Sequence, residues 1–223
     1  MAYDLLVKNG TVVDGSGSSG YRADVGIIDG KLAAIGRINE GARQTIEADG
    51  HIVSPGFVAG HTHMDAQIFW DPIGSCSCYH GVTSVVMGNC GFTLAPCKQE
   101  DADMVFRNLE RAEDLSRDAM LEGIDWRWET FPEFLDVIDE LPKGINYAGY
   151  IGHSALRTYV MGERAFSDAA SEDDVRNMQQ LVKQAVQAGA IGFSTSRTFN
   201  HLTADDRPVA SSIAEWDEVR AIV

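Results

Sequence analysis

Basic residues are in short supply in this chain. Eighteen lysines and arginines face 33 aspartates and glutamates, a formal charge of −15 over 223 residues. Such a surface repels phosphate backbones, so nucleic acid is not an expected partner. No stretch approaches the roughly 18 consecutive apolar residues of a membrane span, and no membrane partner is expected either. The opening Met1-Ala2-Tyr3-Asp4 carries an acid where a secretory leader carries basic residues ahead of an apolar core. The expected location is the cytoplasm. Cysteine is scarce too. Cys76, Cys78, Cys90 and Cys97 are too few for a disulfide scaffold of this length, which fits a reducing compartment and makes each a free thiol or a metal ligand. Apolar residues at 44% and charged residues at 23% exclude intrinsic disorder.

The first fifty or so residues read as β-structure. Asn9-Gly10, Asp29-Gly30 and Asp49-Gly50 each separate two short apolar segments, the pattern of a hairpin. Asp14 to Gly20 is a glycine- and serine-rich loop. Three hairpins of short strands make a small sheet domain that needs a further surface to be stable.

After Ser54-Pro55-Gly56 the pattern changes. Phe57 to Ala59, Val82 to Met87, Asn146 to Ile151 and Ala190 to Phe193 read as strands. Between them, Asp101 to Met120 has helical spacing at Val105, Leu109, Ala112, Leu115 and Ala119. Thr130 to Glu133 and Ser171 to Asp174 have the spacing of capping boxes, opening helices to Leu141 and to about Ala188. A last helix starts at Ser212. Strand and helix in alternation give a parallel sheet. Four strands with polar C-terminal ends resemble the first half of a (β/α)8 barrel. The stretch after residue 55 is shorter than the roughly 200 residues of the smallest complete barrels. The final Val219, Ile222 and Val223 form an apolar stripe with no cap after it. The chain is therefore expected to be truncated relative to a whole barrel. The alternative is an open four-stranded α/β sheet.

His61 and His63 stand two residues apart at the end of the first barrel-type strand. Alternate residues of a strand point the same way, so two such imidazoles can grip one metal ion; two histidines in a polar turn are the plainer reading. Asp65 follows, either orienting a ligand histidine or capping the next segment. Cys90, in Gly88-Asn-Cys-Gly91, ends the second strand at the same edge; it is a thiolate ligand of a mixed N/S site or a buried packing cysteine. Cys76, Cys78 and Cys97 read as passive. His153 ends the third strand as a ligand, a substrate contact or a packing residue. Arg157 and Arg197 are candidate carboxylate clamps or partners of salt bridges. His51 and His80 read as structural, and His201, in a loop past the fourth strand, receives no assignment.

Ser54-Pro-Gly-Phe-Val58 followed by His61-Thr-His-Met-Asp65 resembles the first-strand motif of the amidohydrolase superfamily. Residues 61–72 and 81–96, Trp128-Glu-Thr-Phe-Pro132, Gly152-His-Ser-Ala-Leu-Arg157 and Gly189 to Thr198 are similar to the N-acyl-D-amino-acid deacylase (D-aminoacylase) family. The most diagnostic part is Gly88-Asn-Cys-Gly91, because many relatives bridge their metals with a carboxylated lysine, and no lysine lies on the fourth strand here. A hydantoinase or dihydroorotase reading is weaker for that reason.

The resemblance implies an α/β fold: the N-terminal portion of a metal-dependent TIM-like (β/α)8 barrel over residues 56–223, preceded by a small β-sandwich segment over residues 1–55. It implies one or two Zn2+ ions, held in this chain by His61, His63 and Cys90, and a small N-acyl amino acid as substrate. It puts the remaining ligands, two histidines and a general-base aspartate, beyond residue 223. Ala59 departs from the aspartate that relatives carry shortly before the two histidines. His153, Arg157 and Arg197 are the candidate substrate contacts, with Asp65 behind the ligands. A half-barrel has open strand edges, so self-association, or a partner chain that completes the barrel, is expected. The competing readings are an inactive fragment and a binding module without metal.

Overall fold

In the computed structural model, which describes residues 2–111 and 113–223, the three Asx-Gly pairs take three different backbone roles. Met1 and Ala112 of the readings above lie outside the described residues. The first unit, Met1–Gly56, holds β1 (Tyr3–Val12), β2 (Tyr21–Ile28), β3 (Lys31–Gly36), β4 (Ala42–Glu47) and β5 (Ile52–Val53). Asp29 and Gly30, both at positive φ, form the expected two-residue hairpin between β2 and β3. Asn9-Gly10 is instead a bulge inside a continuous β1. Asn9 takes φ 62°, the register with β2 slips between Val7 and Gly10, and the freed Asn9 N–H donates to Asp24 at 2.8 Å. Asp49-Gly50 makes no hairpin either. β4 and β5 both run parallel to β1, along the same edge. Ala48 N–H donates to the Lys8 carbonyl and Thr11 N–H to the His51 carbonyl, so the chain steps past the bulge and continues. The result is one mixed five-stranded sheet around Leu6, Val12, Val25, Ile38 and Ala48.

The second unit, Phe57–Val223, is built on β6 (Phe57–Ala59), β7 (Val82–Met87), β8 (Asn146–Gly152) and β9 (Gly192–Ser194). All three pairings are parallel and the strand order is sequential, β6-β7-β8-β9. A doubly wound sheet reverses its strand order at a switch point. Sequential order is that of a (β/α)8 barrel, and this unit is the N-terminal portion of one. After β6 and its short helix α1 (Ser75–Cys78), β7 leads to α2 (Ala102–Glu110), α3 (Arg117–Gly123) and α4 (Phe131–Glu140). β8 leads to α5 (His153–Met161) and α6 (Glu172–Ala188), and β9 to α7 (Ala210–Ile213) and α8 (Trp216–Ile222).

Both capping boxes form, Thr130 with Glu133 at α4 and Ser171 with Asp174 at α6. The helix expected over residues 101–120 is two helices. Asp114 takes φ 54°, which no α-helix accommodates, and Ser116 then caps α3 by accepting the Ala119 N–H. The helix expected from Ser212 is likewise broken, at extended Ala214 and Glu215. Sheet and helices close on a core that includes Met87, Phe92, Phe106, Phe134, Ile151 and Leu156. Burying each such side chain contributes about 1.5–3 kcal/mol. No helix among the described residues is long and apolar enough to cross a membrane.

Candidate metal centre

The C-terminal ends of β6 and β7 are stitched together by one threonine and one asparagine. Thr62 donates its N–H and its hydroxyl to the Val86 carbonyl, at 3.0 and 2.8 Å. Asn89 donates its side-chain amide to Val86 O at 2.9 Å and to Thr62 O at 3.4 Å. With Thr62 turned toward β7, its neighbours His61 and His63 stand together, their rings 5.2 Å apart.

Cys90 is brought to them by a turn that few residues accept. It holds φ 56° and ψ 14°, a left-handed conformation that costs a non-glycine residue about 1–2 kcal/mol. Ser194, at the end of β9, pins this turn on both sides: its hydroxyl accepts the Gly91 N–H at 3.1 Å and donates to the Gly88 carbonyl. Gly88 itself is at φ 74°, and a Cβ there would lie 2.3 Å from the Tyr150 carbonyl oxygen. The Cys90 Sγ consequently sits 3.4 Å from His61 Nε2. One donor atom each from His61, His63 and Cys90 fall within 4.8 Å of one another.

Two residues that sequence reasoning did not assign join the site. Glu113 and His201 offer donor atoms that, with Cys90, also lie within 4.8 Å of one another. Glu113 Oε2 is 3.1 Å from His63 Nε2. His201 packs on Phe92, whose ring also faces His63. Glu113 carried no signal, as one of 33 acidic residues inside an apparently continuous helix. His201 did carry one, a position in the polar loop just past a barrel strand.

The electrostatics suit a cation. Burial pushes the Glu113 carboxyl up to about 7, and among the described residues no lysine or arginine offsets it. Burial, helped by His61 and His201, pushes His63 down to about 4, so its imidazole is neutral and keeps a lone pair for a metal. Burial and the Glu113 charge raise the Cys90 thiol. With a divalent ion bound there, Cys90 would instead be held as the thiolate. Asp65 is fully buried and its carboxyl is pushed up to about 7; one oxygen accepts the Gly88 N–H at 3.1 Å, and the other has no partner. His63 Nδ1 is also buried without a partner. Neutral nitrogen, sulfur and unneutralised carboxylate together fit a borderline-soft divalent ion such as zinc.

The remaining expected site residues go elsewhere. Arg157 is no clamp for an incoming carboxylate: it is fully buried, and its guanidinium is committed to Glu218 and to the carbonyls of Ala165 and Asp168. His153 is equally buried. It bonds Thr195 Oγ1 and Glu218 Oε1, each at 2.9 Å, and so is a packing residue outside the His61/His63/Cys90 cluster and away from solvent. Arg197 remains exposed, stacked 5.2 Å over Trp216 and donating to the Ala214 carbonyl. Cys97 is buried, Cys76 and Cys78 lie in α1, and His51 and His80 are exposed and outside the cluster.

Comparison with known proteins identifies the family. The amidohydrolase family matches residues 44–222. A D-aminoacylase of Alcaligenes xylosoxydans xylosoxydans is 36% identical over 194 residues, 86% of this chain and 37% of that protein. A solved D-aminoacylase, described for the functional role of its binuclear metal center, superposes with a TM-score of 0.80 at 32% identity, over 99% of this chain and 42% of its own. An N-acyl-D-glutamate deacylase from Bordetella bronchiseptica, complexed with zinc and a phosphonate inhibitor, gives the same TM-score at 28% identity, over 100% of this chain and 42% of that one. The chain thus spans about two fifths of the length of the relatives it matches.

Proposed function

This chain belongs to the amidohydrolase family, and from that premise we propose that it contributes the first half-barrel of a zinc-dependent hydrolase cleaving the amide bond of N-acyl-D-amino acids. The observation that carries the reading is the convergence of His61, His63 and Cys90 within 4.8 Å at the ends of β6 and β7. The D-aminoacylase and the zinc-bound N-acyl-D-glutamate deacylase among its relatives support the substrate class and the metal.

His61, His63 and Cys90 would hold the ion. Zinc at such a site supplies a Lewis acid that polarises an amide carbonyl and acidifies water. The chain's own residues prepare the position. The Cys90 turn, fixed by Ser194, presents the sulfur. Asp65 fastens to the Gly88 N–H beneath that turn and steadies the first residue of the cysteine loop. Phe92 shields the rings of His63 and His201 from one side. Arg197, the exposed arginine, is the residue available to an incoming substrate carboxylate. The activity belongs to the completed catalytic unit, to which this chain brings three donors.

The test is zinc content after desalting, for the wild-type chain and Cys90→Ala. Stoichiometric zinc in the wild type that falls in the variant is expected. Zinc near zero in both would refute the reading.

A further inference from the structure

The turn that presents Cys90 is held by a very short strand. β9 is three residues long and pairs with β8 at Tyr150, Ile151 and Gly152. Its last residue, Ser194, makes both hydrogen bonds that pin Gly88 and Gly91 on either side of Cys90. Where Ser194 sits therefore depends on what fixes the residue after it. That residue is Thr195, whose Oγ1 lies 2.9 Å from His153 Nδ1, while His153 Nε2 lies 2.9 Å from Glu218 Oε1. Chemistry sets the direction of both bonds. Glu218 also takes the Arg157 guanidinium, so it is ionised and can only accept. Burial lowers the His153 pKa and keeps the imidazole neutral. Its proton is then on Nε2, facing Glu218, and Nδ1 accepts the Thr195 hydroxyl. The backbone leaves the turn little slack against these residues. A Cβ on Gly152 would lie 2.5 Å from the Gly91 carbonyl oxygen, and one on Gly91 would lie 3.2 Å from Thr195 Cα and 3.5 Å from His153 N. Cys90 needs such a frame. Its φ of 56° is one that a non-glycine residue keeps only when its surroundings enforce it.

We propose that His153 is a positioning residue for Cys90, acting through Thr195 and Ser194. It is not one of the clustered donors. Its part is to take the Thr195 hydroxyl and so set where β9 ends, which sets where Ser194 meets the cysteine turn. The same bonds tie α8, through Glu218, to the placement of the sulfur. The inference rests on the proposed function only for what Cys90 is positioned to hold, a metal ion. The frame around the thiol is present without one.

The experiment reads the Cys90 thiol directly. The full chain carries Cys76→Ser and Cys78→Ser, and metal is removed by chelation. The rate of alkylation by iodoacetamide then reports how firmly the turn holds the half-buried sulfur, since Cys97 is buried. Zn2+ affinity is measured alongside by competition with a chromophoric chelator, and stability by urea denaturation. Thr195→Val keeps the branched shape and deletes the hydroxyl. It should speed alkylation roughly 2- to 12-fold, the range that one net hydrogen bond governs, and weaken zinc binding about tenfold or more. His153→Phe should do the same, and Ser194→Ala, which loses both pins, at least as much. Thr195→Ser, which keeps the hydroxyl, should restore both values. Met178→Ala, on the buried face of α6, is the control: it should lower stability and leave the alkylation rate unchanged. An unchanged alkylation rate in Thr195→Val would overturn the proposal, whatever happens to its stability. So would an equal acceleration by Met178→Ala. If the wild type binds no zinc, the proposed function falls, and the alkylation rates alone decide this inference.

Discussion

Replacing Glu218 by glutamine tests whether the buried network under the barrel mouth is what holds α8 in place. Glu218 Oε1 is 2.9 Å from His153 Nε2, and its other oxygen takes the Arg157 guanidinium. Arg157 is fully buried and its Nε has no partner. Two carbonyls remain to it once the carboxylate is gone, Asp168 at 2.7 Å and Ala165 at 3.3 Å. Removing one partner of a buried ion pair destabilises by about 3–5 kcal/mol. The glutamine oxygen still accepts one hydrogen bond, so the lower end is expected, about 3 kcal/mol. At 2–4 °C per kcal/mol for a chain of this size, that is a fall of roughly 6–12 °C in Tm. The pH dependence gives a second handle. Burial alone would raise the Glu218 carboxyl, but hydrogen bonds from His153 and Arg157 outweigh it and leave it below its ordinary value of 4.5. A carboxylate so depressed stabilises the fold fully above its unfolded value, and that contribution is lost as pH falls through the folded one. The gap between wild type and Glu218→Gln should therefore be constant near pH 7 and close below about pH 4.5. Urea denaturation followed by circular dichroism at several pH values measures it. A loss below about 1 kcal/mol at pH 7, or a gap unchanged by acid, would refute the argument that this pair is desolvated and structural.

Two further outcomes follow from the cysteine turn and its support. Gly88→Ala places a Cβ 2.3 Å from Tyr150 O and 2.8 Å from Thr93 Cγ2 at φ +74°, so stability should fall by more than the roughly 1–2 kcal/mol of the left-handed conformation alone, and zinc retention should fall with it as the Cys90 turn shifts; a variant with wild-type stability would show that β7 and β8 yield easily at this point. In the metal-free chain, Asp65 has its carboxyl raised by burial from 3.8 to about 7. The folded state then bears a buried charge above pH 7 and is relieved of it as pH falls toward 4, a gain of at most about 4 kcal/mol. Asp65→Asn should remove that gain, stabilise the chelated protein above pH 7 and weaken zinc binding about 10–100-fold; an unchanged profile of denaturation midpoint against pH would mean that Asp65 is solvated.

What could be read from the sequence was what depends on near neighbours. The capping boxes at Thr130 and Ser171 need only a partner three residues on, and both form. β6 and β7 match the expected residues because a short β-branched run has few alternatives. The Asx-Gly pairs were ambiguous, because the same tolerance of positive φ serves a bulge at Asn9, a hairpin at Asp29 and a step at Asp49; the pairing partner decides between them. The apolar period of residues 101–120 runs on past Asp114 although the helix does not. The convergence of His61, His63 and Cys90 was legible because strand ends sit together at the barrel mouth. Arg157 was not, since the glutamate that claims it lies 61 residues away on α8.

That misassignment bears on how the mouth is divided. The ends of β8 and β9 spend their polar groups inward: His153, Thr195, Arg157 and Glu218 satisfy one another and fasten α5 to α8. The ends of β6 and β7 do the opposite. Their histidines, cysteine and nearby acids are brought together with Asp65 Oδ1 and His63 Nδ1 unpartnered and with no cationic side chain, among the described residues, to balance Glu113. A fold that pairs the buried charges on one side of its mouth, with Arg157 Nε left over, and leaves buried acid and histidine atoms short of partners on the other has placed much of its unmet electrostatic need where an ion can bind. For the proposed carboxylate-bearing substrate, this division narrows the choice of candidate clamp. Of the two candidate arginines, Arg157 is locked behind β8 and Arg197 is still open to solvent, held by Trp216 and the Ala214 carbonyl past the end of β9. On the proposed function, a substrate with its amide toward β6 and β7 would offer its carboxylate toward β9, and Arg197→Leu in the completed catalytic unit should raise its KM; an unchanged KM would remove Arg197 from that role.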